Sequence, residues 1–422
     1  MSRKRSRAQA RKIRRKKQIQ WSIAGVVAVV ALLAILLPGA LRGGEAPDAL
    51  TTPDPSENVQ STPDVTASQT IDVENATDLT LGADDDPVDP TPIAEPTPTP
   101  EPTSTPTPVS APVSFTISAV GDCTLGGDVL GPSEKRFQSI VTKNGQIDYD
   151  HCFLNVRDIF AECDLTIANF EVVLTESRNM LKSDKSKIFF LRGKPEYAKM
   201  LPAGNIDVVT IANNHINDFG DAGIEETIRH LDEAGIPSFG RETIYYADVK
   251  GVRVGLVGFS VWTTSDAVIE RVMKEARANC DVLIASYHWG SELKYEATPA
   301  QRKYGRTAVD LGADLVIGHH PHVINGIEVY KGVPIIYSLG NFSFGGKENP
   351  TDKDTFIYQH TFTVQDGKII GNEPHIIPCK ITSSSKNNNF QPTPVEGKQA
   401  EDIIKKIAKY SKAFPETLDI LR

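Results

Sequence analysis

The sequence is poor in the residues and spacings that mark several common chemistries. Its five cysteines, Cys123, Cys152, Cys163, Cys280 and Cys379, show no CxxC spacing, which argues against zinc ribbons and thioredoxin-like redox centres. There is no GxSxG elbow, no GxxxxGK[ST] phosphate loop and no GxGxxG after the first apolar strand. The serine-hydrolase, nucleotide-phosphate and dinucleotide readings therefore lose their motifs. Acids are absent from residues 1–20, and bases are absent from residues 43–112. Histidine is scarce too, yet three of the nine fall together at His319, His320 and His322.

The missing charges divide the chain. Residues 1–20 hold ten Lys or Arg, and 21–41, WSIAGVVAVVALLAILLPGAL, are uncharged and almost wholly apolar. A run of about 20 apolar residues is the length of a helix crossing a bilayer. A cleaved signal peptide fits less well, because the basic region and the apolar run are both long and no small-x-small site follows. We therefore expect a cytoplasmic tail at 1–20, a single-pass signal anchor in the cell membrane at 21–41, and the rest outside the cytoplasm. Residues 42–112 carry fourteen acids, and 43–112 hold half of the 28 prolines. Such a segment lacks the apolar content for a core and reads as a disordered, extended linker. The remaining 34 basic and 40 acidic residues leave an outer part mildly acidic, which argues against nucleic acid as its ligand. Five cysteines in an exported chain leave at least one thiol unpaired, and Cys152 with Cys163 is a pairing that spacing permits.

From Val113 the pattern becomes that of a folded α/β domain. Apolar runs predict strands at 114–120, 165–168, 206–211, 252–259, 282–286, 313–317 and 333–339. Between them, helical spacing predicts helices at 152–162, 223–233, 267–279 and 298–311, with Ser265 or Asp266 capping the third. Alternation after Phe356 suggests antiparallel strands closing the domain, and 397–412 reads as an amphipathic terminal helix. Repeated strand–helix units predict a mostly parallel sheet with helices on its faces. The organisation expected is 113–345 as the main domain, with 346–422 completing it.

Potential ligands recur just past these strands. Asp122 follows the first, Glu171 the second, Asn213, Asn214 and His215 the third, His288 the fifth, and His319, His320 and His322 the sixth. Open α/β sheets keep their sites at the carboxyl ends of strands. Each residue has a bland alternative: a lone Asp or Asn caps a turn, and a lone His is hydrogen-bonded in a core. Together, two carboxylates, an amide and three or four imidazoles suit one or two divalent ions such as Mn, Zn or Fe. His320 and His322 make the better pair, because alternate residues of an extended stretch face one way. Asn341 and Glu292 are secondary candidates. Glu171 with Glu292 would suit a glycosidase pair, but that leaves the histidines without a role.

The segments GDCTLGGD, ANFEVVLT, TIANNHINDFG, YHWGSE and GADLVIGHHPHV…YSLGNFSF, running from Phe115 to Phe344, resemble the signatures of the CapA-type capsule (poly-γ-glutamate) synthesis proteins. That family is itself similar to calcineurin-like metallophosphoesterases, with a layered β-sandwich flanked by helices. The resemblance implies metal roles for Asp122, Glu171, Asn214, His288, His320 and His322, with His215 as general acid. Two positions depart from it: Thr124 stands where a phosphoesterase histidine would be, and Val172 where the family often has glycine. The implied function is capsule or poly-γ-glutamate synthesis or export, on an anionic envelope polymer, with other membrane subunits of a polymer synthase as candidate partners. A metal-dependent hydrolase and a non-catalytic metal-binding accessory subunit both fit. The linker alone suggests a third reading, an adhesion stalk.

Overall fold

The computed structural model describes residues 110–181 and 188–421. The basic tail, the apolar span and nearly all of the expected linker lie outside the described residues. Among those described, no helix is long and apolar enough to cross a membrane. The chain divides into Met1–Thr99 and Pro100–Arg422, and everything below belongs to the second unit.

In chain order the main elements are β1 (Val113–Thr124), α1 (Ser133–Val141), β2 (Leu165–Phe170), β3 (Val208–Thr210), α2 (Gly220–Glu233), β4 (Ser238–Phe239), β5 (Tyr245–Val249), β6 (Val252–Ser260), α3 (Asp266–Ala278), β7 (Val282–His288), α4 (Pro299–Asp310), β8 (Leu315–His319), β9 (Ile327–Tyr330), β10 (Val333–Ile336), β11 (Asn341–Phe344), β12 (Asp354–Gln365), β13 (Lys368–Lys380), β14 (Thr393–Pro394) and α5 (Gly397–Ser411). They build two sheets where the strand–helix repeat predicts one. The first runs β14-β13-β12-β1-β2-β3-β4, with β11 also paired to β1; the second runs β5-β6-β7-β8-β10-β9. Periodicity tells which face of a strand is buried, not which strand lies beside it, so one sheet and two give the same pattern. The alternation after Phe356 does become an antiparallel pair, β12 with β13, and β12 runs antiparallel to β1.

Alternate side chains of each strand enter different cores. Phe115, Ile117, Ile167 and Val208 of the first sheet meet Val254, Leu256, Ile284 and Ile317 of the second. The outer face of the first sheet packs Val120, Ala168 and Phe170 against Phe137 of α1 and Leu231 of α2. The outer face of the second packs Val257, Leu283 and Tyr287 against Val272 and Met273 of α3. The result is a sandwich of two sheets with helices outside each. Local chemistry supports it: Ser265 caps α3 by accepting from Val268 N at 3.4 Å, and Thr298 with Gln301 forms a capping box on α4.

One irregularity sets the orientation of the site. Along β1 and β2, Val120 pairs with Ala168, but the next pair is Asp122 with Asn169, so Gly121 is an extra residue. Val120 and Cys123 both reach the outer core. The bulge thus reverses the alternation and turns Asp122 toward the space between the sheets. Gly121 also lies against β11, where a Cβ would sit 1.9 Å from Gly340 O.

One expectation fails, and one open question closes. Residues 152–162 form a 3-10 turn at His151–Phe153 and a short helix at Arg157–Ala161, broken at Val156 (φ −127). Phe153, Val156 and Phe160 are all buried by this bent path, so their spacing does not demand a continuous helix. The permitted Cys152–Cys163 pairing is also absent, and all five cysteines are free. Cys152 Sγ lies 3.6 Å from Met200 Sδ, whereas Cys163 contacts Ser118 and Gln359.

Gly121→Ala should destabilise the domain by about 1–3 kcal/mol through overpacking against backbone and weaken metal uptake by displacing Asp122. Denaturant unfolding with metal analysis checks both. Wild-type behaviour in both would show that the bulge does not position the centre.

Candidate metal centre

The carboxyl ends of the parallel strands bring two rows of side chains together. In the first sheet Asp122 pairs with Asn341 on one side and Asn169 on the other. In the second, Ser260, His288 and His319 lie in register across β6, β7 and β8. The rows touch: Asp122 Oδ1 accepts from Asn169 Nδ2 at 2.8 Å and lies 3.5 Å from His319 Nδ1. Asn169 Nδ2 is 3.3 Å from His288 Nδ1, and His288 Nε2 is 2.7 Å from Asn214 Oδ1 and 3.3 Å from Glu171 Oε1. His322 Nδ1 lies 3.0 Å from Asp122 Oδ2, 3.9 Å from Glu171 Oε2 and 2.9 Å from Asn341 Oδ1. Each expected ligand thus lies in this cluster or beside it, drawn from both sheets rather than one edge.

His320 and His322 are brought in by a turn rather than by extended alternation. Both have left-handed backbone, φ 92 and 57. Such conformations cost of order 1–3 kcal/mol each and concentrate at functional sites. The His320 ring stands edge-on to Trp262, 4.5 Å between centroids, and 4.9 Å from the His288 ring. Donor atoms of Glu171, His320 and His322 all lie within 4.8 Å of one another, a group that can hold a metal ion.

The donor set fits a divalent cation. Among the described residues, Asp122 Oδ2, both Glu171 carboxylate oxygens, His319 Nδ1 and His320 Nδ1 are buried and make no well-aligned hydrogen bond. The close imidazole contacts of Asp122 Oδ2 and Glu171 Oε1 are ionic in kind. Five unsatisfied buried atoms of ligand type at one point are costly unless a cation completes them. Titration behaviour agrees. Burial and neighbouring Asp122 push the Glu171 carboxyl well above the usual range, although the His322 charge opposes this. Burial also pushes Asp122 upward, but the adjoining His319 and His322 rings outweigh it and hold that carboxyl well below the usual range. Burial lowers His288 well below its ordinary value and His320 to about 3. His322 moves the other way: despite burial, the charges of Glu171 and Asp122 raise it to about 10. In the metal-free protein, the proton on His322 stands where a cation's charge would.

His215 lies beside this group and faces a cavity of about 170 Å³ whose walls include His322, Asn341, Glu292 and Phe344. Its Nδ1 is 2.9 Å from Asp218 Oδ2, a fully buried carboxylate. Asp218 carries no role in the sequence reading, although its i+3 spacing from His215 is visible there. Asn169 is likewise a strand-end residue to which the sequence assigns no role, and Trp262 gives no signal at all. Asn213 is a turn residue: its Oδ1 accepts from His215 N at 3.1 Å and Ile216 N at 2.9 Å. Glu292 is exposed at the cavity. Of the two departures, Thr124 is buried and donates to Glu171 O at 3.1 Å, fixing the backbone of a donor instead of supplying one. Val172 does not line the cavity but packs fully buried in the outer core.

Comparison with known proteins decides the family. The model of the bacterial capsule synthesis protein PGA_cap matches residues 116–346. The chain belongs to that family. Among its relatives, the capsule biosynthesis protein CapA of Bacillus anthracis is 30% identical over 273 residues, 58% of this chain and 63% of that one. The PGA biosynthesis protein CapA of Bacillus subtilis (strain 168) is 31% identical over 266 residues, covering 58% and 67%. A probable polyglutamine synthesis accessory protein of Mycobacterium tuberculosis is 26% identical over 258 residues, covering 52% and 66%. The match therefore spans about two thirds of each relative's length. Two solved structures are similar at low identity: a hypothetical protein from Thermus thermophilus (15%, TM-score 0.38, 63% of this chain and 99% of that one) and a purple acid phosphatase from yellow lupin (10%, TM-score 0.30, 62% and 53%).

For this PGA_cap chain the titration pattern fixes the sign of two pH effects. His322 is raised above its unfolded value of about 6.5, so it stabilises the metal-free fold fully below that pH. This contribution is lost as pH rises through about 10. Metal must displace that proton, so its affinity should rise about tenfold per pH unit between 7 and 9 for each proton released. The stability gap between metal-loaded and chelator-treated protein should therefore widen with pH in thermal unfolding. A gap independent of pH would remove His322 from the ligands.

Proposed function

We propose that this protein is a membrane-anchored, extracytoplasmic component of capsule or poly-γ-glutamate synthesis or export, carrying a metal-dependent phosphoesterase-like hydrolase site. Family membership supports the capsule context, and the basic–apolar sequence of 1–41 supports the anchor. The hydrolase reading is carried by one observation: an imidazole held by a buried carboxylate faces a cavity that shares His322 with the metal-binding group.

Asp122, Glu171, His288, His320 and His322 would hold one or two divalent ions, with Asn214 oriented toward His288. Ions there would supply Lewis acidity toward a phosphoryl or acyl oxygen and a nucleophile at neutral pH. Asp218 fixes His215 with the Nδ1 proton toward its carboxylate, which leaves Nε2 for the cavity. Protonated at Nε2, His215 would pass its proton to the leaving atom as the bond breaks, the oxygen of a phosphodiester or the nitrogen of a γ-glutamyl amide, and Asp218 would stabilise the imidazolium before transfer. The two-sheet frame, the Gly121 bulge and the Thr124 contact hold the donors in place, so little reorganisation is needed during reaction. Asn341 orients His322 through both its amide atoms, accepting near Nδ1 and donating to His322 O at 3.2 Å.

A second reading follows from Thr124, whose hydroxyl is committed to Glu171 O and leaves that position without a ligand. The same residues would then bind metal in an accessory subunit of the polymer synthase that turns nothing over.

His215→Ala should lower kcat about 10²–10⁴-fold on a Mn²⁺-dependent phosphodiester or γ-glutamyl substrate, with metal content unchanged. Asp218→Asn should lower it in the same direction. The full-length chain and an Asp122→Ala/His320→Ala variant provide the reference, by metal analysis and turnover. Metal bound by wild type with no turnover of either bond selects the accessory reading, whereas no bound metal rejects the centre.

A further inference from the structure

A second hollow, about 480 Å³, shares the Asn213–Asn214 wall with the metal-binding group. Its other walls include Arg241, Glu242, Ser260, Val268 and the Thr263–Ser265 stretch that opens α3. Four features give it a chemical preference. Ser260 is 2% exposed, and its Oγ makes no hydrogen bond among the described residues. It lies two positions beyond Gly258, where a Cβ would meet Thr210 Oγ1 at 2.6 Å and Ala212 Cβ at 3.3 Å. Side chains two apart on a strand share a face, so Ser260 points toward the Ala212–Asn214 wall.

The thirteen-residue α3 begins at this hollow, where Ser265 caps Val268 N, and it presents the positive end of its dipole there. The Asp266 carboxylate of its first turn is taken by Lys303 and Tyr304. Arg241 is exposed and forms no ion pair among the described residues, whereas adjoining Glu242 is neutralised by Arg271. Trp262, half exposed at 50%, bridges outward from the same loop to the His320 ring. Helix terminus, free guanidinium and buried hydroxyl all favour an oxyanion. The volume exceeds what a single small ion needs and falls in the range of a substrate-sized pocket.

We infer that this hollow is a subsite for an oxyanion of the substrate chain, a carboxylate or a phosphate, adjacent to the group that reacts. This rests on reading the neighbouring centre as a substrate-processing site. Arg241 and the first turn of α3 hold the oxyanion, and Ser260 donates from the floor. Trp262 packs on the apolar atoms between that oxyanion and the reacting group. Asn214 couples the two places, since its Oδ1 is engaged by His288. A polymer with an anionic group on each unit would thus be aligned by one unit while the next meets the metal.

The test titrates metal-free, full-length protein with tri-γ-glutamate and, separately, with inorganic phosphate, followed by calorimetry. Saturable binding of at least one probe is expected. Arg241→Asn, chosen because Asn tolerates the left-handed backbone at this position (φ 51), should weaken it about tenfold or more. Ser260→Val should also weaken it. Melting temperature and metal content serve as controls, and Arg241→Asn should leave both as in wild type. Binding of the tripeptide alone identifies a carboxylate chain, and binding of phosphate alone a phosphate-bearing one. No binding of either probe, or unchanged affinity in Arg241→Asn, overturns the subsite. Wild-type metal content judges the metal centre independently of all these outcomes.

Discussion

Two carboxylates buried together cannot both be charged unless positive charge lies among them, and much of this domain is arranged around that constraint. Asp122 and Glu171 are each fully buried, and both lie within 4 Å of one imidazole nitrogen, His322 Nδ1. At such distances in a partly buried setting, unlike charges attract by roughly 4 kcal/mol and like charges repel as strongly. The two acids are displaced in opposite directions, Asp122 below the usual carboxylate range and Glu171 above it, and the imidazole is raised to about 10. A divalent cation would relieve the same tension with both acids charged, and would use the ligand atoms that the protein leaves without hydrogen bonds.

The fold serves this constraint by bringing strand ends from two sheets to one point. A single sheet would spread its strand ends along a line with neighbours about 4.8 Å apart, too far for five donors to converge. Facing sheets let Asp122 and Asn169 of one reach His319 and His288 of the other. The bulge at Gly121 is what makes the first sheet's acid face its partner instead of the helices. Strain is then concentrated where chemistry needs it, in the left-handed His320 and His322, and the surrounding packing holds it: Asn341 fixes His322 through two contacts.

The element types and most strand positions were legible in the sequence, because buried strands and amphipathic helices leave strong periodic traces. The clustering of Asp122, Glu171, His288, His320 and His322 was legible too, since each follows an apolar run. The two-sheet arrangement was not legible in the periodicity, because strand neighbours are decided by packing between distant segments; only the family resemblance implied a layered sandwich. His320 and His322 do come together, but not for the reason their spacing suggests: a tight turn delivers them in place of an extended stretch. Asp218 could have been found from its spacing to His215. Trp262 could not, since only the folded chain lays its ring against His320.

The arrangement around His215 bears on whether the site is catalytic or merely holds metal. A structural metal centre needs its ligands satisfied and solvent excluded. Nothing in that role calls for an imidazole outside the ligand group, oriented by its own buried carboxylate and facing a cavity. Asp218 is fully buried, and its Oδ2 also accepts from Leu191 N at 2.6 Å, so it is rigidly held. Burying a carboxylate is costly, and here the partner that gains is a histidine at the edge of open space rather than a core residue. The Thr124 contact weighs against a full second metal position, but it constrains the number of ions rather than the presence of a proton donor. The proposed hydrolase reading accounts for this imidazole, whereas the accessory reading gives it no task.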